Sequence, residues 1–212
     1  MTRTMLAFLV LCGAASAQDR PPVKCLEDSP ERRGEEGCSL LASRPFVGSV
    51  AQPLFWHLDR FDTLEAAKKA SGPDAVAAEA HGSVWLMTVE PRGDDHRGGS
   101  HVAWVGPLAV PAAAGLSMRV HSSMLREGTT TPVHSHSGPE VFYIVEGAQC
   151  LDTQEKGHRL GRGESFILPT DTVHQGRIPG PGPRKAIGMV LFDSARPSSH
   201  DLTDPPPLKR CQ

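Results

Sequence analysis

The sequence predicts an all-β fold, and three observations carry that prediction. Runs of four to eight residues rich in Val, Ile, Phe, Trp and Thr recur along the chain. Gly- and Pro-containing turn signals separate them. Two turn-and-strand blocks, residues 128–147 and 163–174, carry three histidines and a glutamate at strand-compatible spacing. At 212 residues the chain has room for one domain with extensions. A formal charge of −2, no basic stripe and 5% aromatic residues disfavour nucleic-acid binding. Asn is absent, which excludes N-glycosylation.

The N-terminus reads as a secretory signal peptide over residues 1–17. Arg3 supplies an early positive charge, Met5 opens a mainly apolar stretch, and Ala15-Ser16-Ala17 fits a cleavage site. The apolar stretch is shorter than the ~20 residues that cross a bilayer, and no later segment reaches that length. No membrane span is therefore expected, and no Cys immediately follows the cleavage site to take a lipid anchor. The abundance of Gly, Pro, Ala and Arg without Asn points to a GC-rich bacterial genome. With the signal peptide, this makes the expected location periplasmic or secreted.

Cysteine usage agrees with export. Of five cysteines, Cys12 leaves with the signal, and Cys25, Cys38, Cys150 and Cys211 remain. An even number in an oxidising compartment suggests two disulfides, with three pairings open. The preferred pairing joins Cys25 to Cys38, closing a short charged segment that lacks other means of ordering. Cys150–Cys211 would then pin the Pro-rich tail; the alternative leaves Cys150 free and buried.

Taken in order, residues 18–44 are polar, interrupted by Pro21, Pro22 and Pro30, and read as irregular. Residues 45–116 read as an N-terminal extension that adds strands and short helices. Strands are expected at 54–59, 83–90, 101–105 and 107–110. A helix is expected at 63–70, capped by Asp62 or Thr63, with a further helical turn at 74–80. Residues 91–99 read as a polar loop. The extension has no His-x-His, and its strands are expected to join the barrel sheets rather than form a second metal site. Residues 117–193 read as the main β-domain, with strands expected at 117–125, 140–146, 163–168, 173–178 and 185–192. Residues 194–212 are a Pro-rich, extended tail.

The chemistry concentrates in the two blocks. His134 and His136 are two apart, so on a strand they share a face. Ser137-Gly138-Pro139 reads as a turn, after which Glu140 opens a strand and shares a face with Phe142 and Ile144. His174 follows a second turn and would complete the set. Neutral imidazoles plus one carboxylate, with no thiolate, suit one divalent transition metal: Fe, Mn, Ni, Co, Cu or Zn. Four protein ligands on an octahedral ion leave two positions open. His121 shares strand parity with Ser117 and Arg119 and is a candidate for the cavity wall, with Phe142, Ile144 and Phe166. Arg119 and Arg177 are candidates for holding an anion. His57, His96, His158 and His200 read as surface residues.

These blocks resemble the cupin superfamily. Gly128, His134, His136, Glu140 and Gly147 fill every fixed position of its first motif, Gly-x5-His-x-His-x3-Glu-x6-Gly. Gly163, Pro169 and His174 match the second motif, which departs at Asp171, where Gly is usual, and at Ile178, where Asn is usual. The spacing is that of a small single-domain, type-2-like cupin. The resemblance implies a double-stranded β-helix, or jelly-roll barrel, with the metal site inside near one mouth. It also implies a small-molecule substrate or ligand and pairing as homodimers through edge strands. The leading functional expectation is a metal-dependent, dioxygenase-like oxidoreductase, with Glu140 moving between ligand and proton acceptor. The alternatives are a non-catalytic metal or small-molecule binding protein, and a metal-dependent isomerase. Fold analogy does not choose among them.

Overall fold

The structure, a computed structural model, describes Val23, Cys25–Leu26 and residues 36–93 and 97–212. The expected signal peptide and His96 lie outside the described residues. The strands are β1 (Cys25–Leu26), β2 (Gly37–Phe46), β3 (Leu54–Phe61), β4 (Ala75–Ala80), β5 (Ser83–Pro91), β6 (Ser100–Val105), β7 (Leu116–Leu125) and β8 (His134–His136). They continue as β9 (Glu140–Glu146), β10 (Ala148–Thr153), β11 (Gly157–Gly161), β12 (Ser165–Leu168), β13 (His174–Arg177), β14 (Arg184–Asp193) and β15 (Ser199–Asp201). One helix, α1 (Leu64–Ala70), follows β3.

From β7 onward the chain passes repeatedly between two sheets. One sheet has the order β1-β2-β7-β14-β9-β12 and the other β11-β10-β13-β8-β15. Glycines make two of the crossings. Gly147, at φ 76°, turns the chain from β9 into β10, and a Cβ there would press on the Pro183 carbonyl oxygen at 2.6 Å. Gly163, at φ 83°, precedes β12, and its N–H donates to the Ile144 carbonyl at 2.8 Å. The result is the jelly-roll barrel expected for residues 117–193.

The remaining sheet, β4-β5-β3-β6, does not extend the barrel sheets as expected; it stacks on the outer face of the six-stranded one. Alternation explains this. On β7, β9 and β14, residues of one parity face the barrel interior, while Met118, Val120, Val141, Ile187, Met189 and Leu191 face outward. Those apolar side chains need a cover, and Trp56, Leu58, Trp85, Met87 and Val89 of the N-terminal sheet supply it. Trp85 is fully buried in this layer, donates its indole N–H to Ala80 O at 2.9 Å and meets the edge of Tyr143. The middle sheet is thus buried on both faces, which is why β9 and β14 read as nearly continuous apolar runs over 141–145 and 186–192.

Several local expectations change. The helix at α1 stands, with the Thr63 hydroxyl accepting from Ala66 N–H at 3.1 Å. The expected helical turn at 74–80 is instead β4, because pairing to β5 (Ala75 opposite Thr88 through Ala80 opposite Ser83) outweighs alanine's helix preference. Among the described residues the extension therefore holds one helix. Residues 107–110 are not a strand; Pro107 has no N–H to give, and Leu108 N–H bonds back to Leu54 O. The segment expected to be irregular contains most of β2, a ten-residue strand paired to β7 along its length with a bulge between Leu40 and Ala42. His57 is not a surface residue: it is buried at 2% exposure, edge-on to Trp104.

The tail belongs to the fold. β15 adds to β8, placing Ser199 opposite His136 and Asp201 opposite His134. Further on, Lys209 N–H donates to Thr153 O, Cys211 N–H donates to the Asp152 carboxylate at 2.9 Å, and Cys150 and Cys211 form a disulfide. Cys38 is disulfide-bonded, and Cys25 is its backbone neighbour across β1 and β2.

One glycine tests this packing directly. A Cβ on Gly138 would overlap the Leu191 carbonyl oxygen, a backbone atom of the middle sheet that has nowhere to move. Gly138→Ala is expected to destabilise the protein by more than about 3 kcal/mol, read as a lower urea midpoint at unchanged slope. A midpoint within error of the parent would show that the turn is not held as described.

Candidate metal centre

Four side chains from two facing sheets meet inside the barrel. His134 and His136 lie on β8, and His174 starts β13 directly opposite His134. Glu140 enters from the facing sheet at the start of β9. One ligating atom from each lies within 4.8 Å of all the others. The Glu140 Oε2 atom stands 3.1 Å from His136 Nε2 and 3.2 Å from His174 Nε2. Glu140 is 4% and His174 2% exposed, so bulk water does not compensate them.

The backbone dictates how the rings present themselves. His134 Nδ1 bonds Pro132 O at 2.8 Å, His136 Nδ1 bonds Ser198 O at 2.8 Å, and His174 Nδ1 bonds Thr172 O at 2.9 Å. A carbonyl oxygen only accepts, so each Nδ1 carries the proton and donates it. Each Nε2 of a neutral ring is then a bare lone pair, and those of His136 and His174 face Glu140. His136 Nε2 and Glu140 Oε2 are buried without a hydrogen-bond partner. Convergent lone pairs and a carboxylate, dry and unsatisfied, repel one another unless a cation sits among them. The residues present therefore fit a divalent metal.

The electrostatics agree. Burial, reinforced by the neighbouring His174, pushes the His134 pKa down to about 4. Burial likewise pushes His121 down to about 4. His136 is also disfavoured as a cation by burial, but the adjacent Glu140 charge prevails and raises it. For Glu140, burial opposes ionisation, and the charge that His136, together with His174, can carry beside it overcomes this and holds the carboxyl well below its usual range.

A cavity of about 360 Å³ opens beside this cluster. His121 and Phe142 line it as expected. His121 fits because Gly188, across from it on β14, has no side chain; a Cβ there would overlap the imidazole. Ile144 and Phe166 do not line the cavity. Ile144 lies deeper, packed with Leu151, Leu160, Leu168 and Ala186, and Phe166 packs at the edge of that cluster against His158. Arg119 lines the cavity and donates to the Ser198 hydroxyl at 3.1 Å. Arg177 is turned away, forked on the Asp152 carboxylate. His158 is half-buried, and half-buried His200 bonds the Ser137 hydroxyl at 2.9 Å.

Arg184, Gln149, Ser198 and Asp201 also line the cavity, and the sequence reading did not include them. Arg184 carries a signal that was available, since it shares strand parity with Ala186, Gly188 and Val190. Ser198 carries none, because it contributes a backbone carbonyl. Both departures from the second motif are accommodated. Asp171 takes the left-handed conformation, φ 58°, where glycine is easiest, and its carboxylate pairs with Arg196 of the tail at 2.8 Å. Ile178 is buried at 3% exposure.

The cupin-domain family model matches residues 122–190. Over that stretch the chain matches a cupin domain. Those residues hold all four members of the cluster and both motifs of the cupin. A comparison with curated proteins finds no match. Among solved structures, a cupin-like protein from Thermotoga maritima is 15% identical over 44% of this chain and 84% of that one, with a TM-score of 0.37. A cupin-2 domain protein from Shewanella frigidimarina is 18% identical over 34% of this chain and 68% of that one, TM-score 0.31. A salicylate 1,2-dioxygenase variant from Pseudoaminobacter salicylatoxidans, in complex with gentisate, is 22% identical over 34% of this chain and 20% of that one, TM-score 0.32.

The buried histidines give the metal-free protein a pH signature. With folded-state values near 4 against an ordinary 6.5, His121 and His134 refuse protons that the unfolded chain accepts. Their effect is absent above about pH 7, and stability falls as pH drops from about 6.5 toward 4, by up to roughly 3 kcal/mol per histidine. His136, raised by Glu140, acts in the opposite direction and offsets part of the loss. Melting temperature against pH after chelator treatment should therefore decline across this window. A flat profile would mean that these rings are not held neutral.

Proposed function

We propose that this protein is an exported, metal-dependent oxidoreductase that acts on a small molecule by dioxygenase-like chemistry. The observation that carries the metal part of this reading is the uniform orientation of the three imidazoles. Each is locked through Nδ1 to a backbone carbonyl, which leaves each Nε2 free to ligate, and those of His136 and His174 face the buried, unpartnered Oε2 of Glu140. His134, His136, His174 and Glu140 would hold the ion. A bound redox metal supplies Lewis acidity and electron transfer, with positions left for a chelating oxygen ligand and dioxygen.

The protein's own residues supply the rest. Phe142, Leu151 and Val190 give the cavity an apolar wall that limits water around the reacting groups. His121, kept neutral by burial, offers a hydrogen-bonding ring beside the cluster. Glu140 Oε2 is the carboxylate oxygen placed to take a proton from a bound enol or phenol. Export is supported by the N-terminal signal pattern and by the disulfide between Cys150 and Cys211.

Elemental analysis of protein exported to a periplasm, and purified without chelator or a metal-affinity step, tests the first part. About one equivalent of Fe, Mn, Ni, Co or Cu is expected. His136→Ala should keep its circular dichroism spectrum and lose metal affinity by at least about tenfold. Full metal loading in that folded variant would overturn the ligand assignment. Oxygen consumption with phenols, flavonols and diols tests the reaction class; binding without oxygen uptake across that panel would instead favour a non-catalytic binding protein.

A further inference from the structure

Arg184 is the charged group near the site that neither the fold nor the metal reading uses. It opens β14, is 4% exposed and lines the cavity. Its only hydrogen bonds among the described residues go to Ser123, to the hydroxyl and, at 3.5 Å, to the carbonyl. Its Nε is buried without a partner, and no described carboxylate lies within ion-pair distance of the guanidinium. A buried guanidinium left this way is costly, and surface-exposed alternatives exist for a residue with no task.

The charges around it indicate what would complete it. Arg119, Arg184, Glu140 and Asp201 are the charged side chains lining the cavity, and they cancel. A divalent ion on the histidine cluster makes the interior net positive. The field of Arg184 is felt at both His121 and Glu140, so the guanidinium and the ligand cluster act on one enclosed space. At about 360 Å³ that space is near the small end of ligand cavities. We infer that the cavity takes a small carboxylate-bearing ligand whose carboxylate pairs with Arg184 while chelating oxygens at its other end face the histidine cluster. One guanidinium with a neighbouring hydroxyl matches the two oxygens of a carboxylate, and apolar Phe142, Leu151 and Val190 suit the body of an aromatic or unsaturated acid. The placement of the chelating end rests on the metal reading above.

Two probes with the same diol separate the roles: 3,4-dihydroxybenzoate, and catechol, which lacks the carboxylate. Calorimetric titration of the metal-loaded full chain should show 3,4-dihydroxybenzoate binding about 10- to 100-fold more tightly than catechol. Arg184→Met should abolish that preference while metal content per chain stays unchanged. Should R184M fail to fold, R184K, which keeps the charge and loses the fork, should reduce the preference. Equal affinity for the two probes, no detectable binding of 3,4-dihydroxybenzoate at millimolar concentration, or a preference that survives in the folded variant each overturns the inference. The same titrations on chelator-treated protein keep the two claims apart. Absent metal loading counts against the metal reading alone, whereas loss of the carboxylate preference on substituting Arg184 is read in either state.

Discussion

A single buried carboxylate organises this molecule. Glu140 sits between two sheets with almost no access to water, and its Oε2 has no hydrogen-bond donor of its own. An ionised carboxylate in such a place requires positive charge nearby. The three histidines around it are not free to provide this by rotating, because their Nδ1 protons are already given to Pro132, Ser198 and Thr172 carbonyls. Compensation must come from protonating a ring or from a cation at the centre. The first solution is visible in the raised pKa of His136, and the second is what the donor set is built for.

Holding four donors within a few ångströms demands rigid walls, and the three-layer packing provides them. The middle sheet presents Glu140, His121 and Arg184 inward and a solid apolar face outward. In an open barrel that outward face would meet solvent. Here the N-terminal sheet covers it with two fully buried tryptophans, and α1 closes the far side of that sheet through Ala67. The extension thus stiffens the site's back wall, although none of its residues from β3 to β6 lines the cavity.

Much of this was legible in the sequence because it depends on local spacing. The His-x-His pair, Glu140 after a Ser-Gly-Pro turn, and the period-two alternation of residues 140–146 follow from strand geometry alone. What was not legible depends on partners distant in the chain. Residues 74–80 have the composition of a helix and become β4 because β5 offers a ladder. Residues 37–44 look irregular and become part of β2 because β7 has an unpaired edge. The alternating pattern of β3 and β5 shows a buried face, but not whether that face meets the barrel edge or its outer wall. The role of Ser198 is the extreme case, since any residue there could present the same carbonyl.

That carbonyl has a consequence for how the site comes into being. Every metal-ligand candidate lies between residues 134 and 174, yet the acceptor that orients His136 lies at 198, on a tail held to the barrel by β15 and, further on, by Lys209 and Cys211. A chain emerging from N- to C-terminus displays its imidazoles before it can aim them. Competence for loading therefore comes at the end of synthesis, after the barrel has closed and the cysteines have been oxidised. Order of assembly, rather than affinity alone, then governs which ion the protein first meets with its ligands aligned.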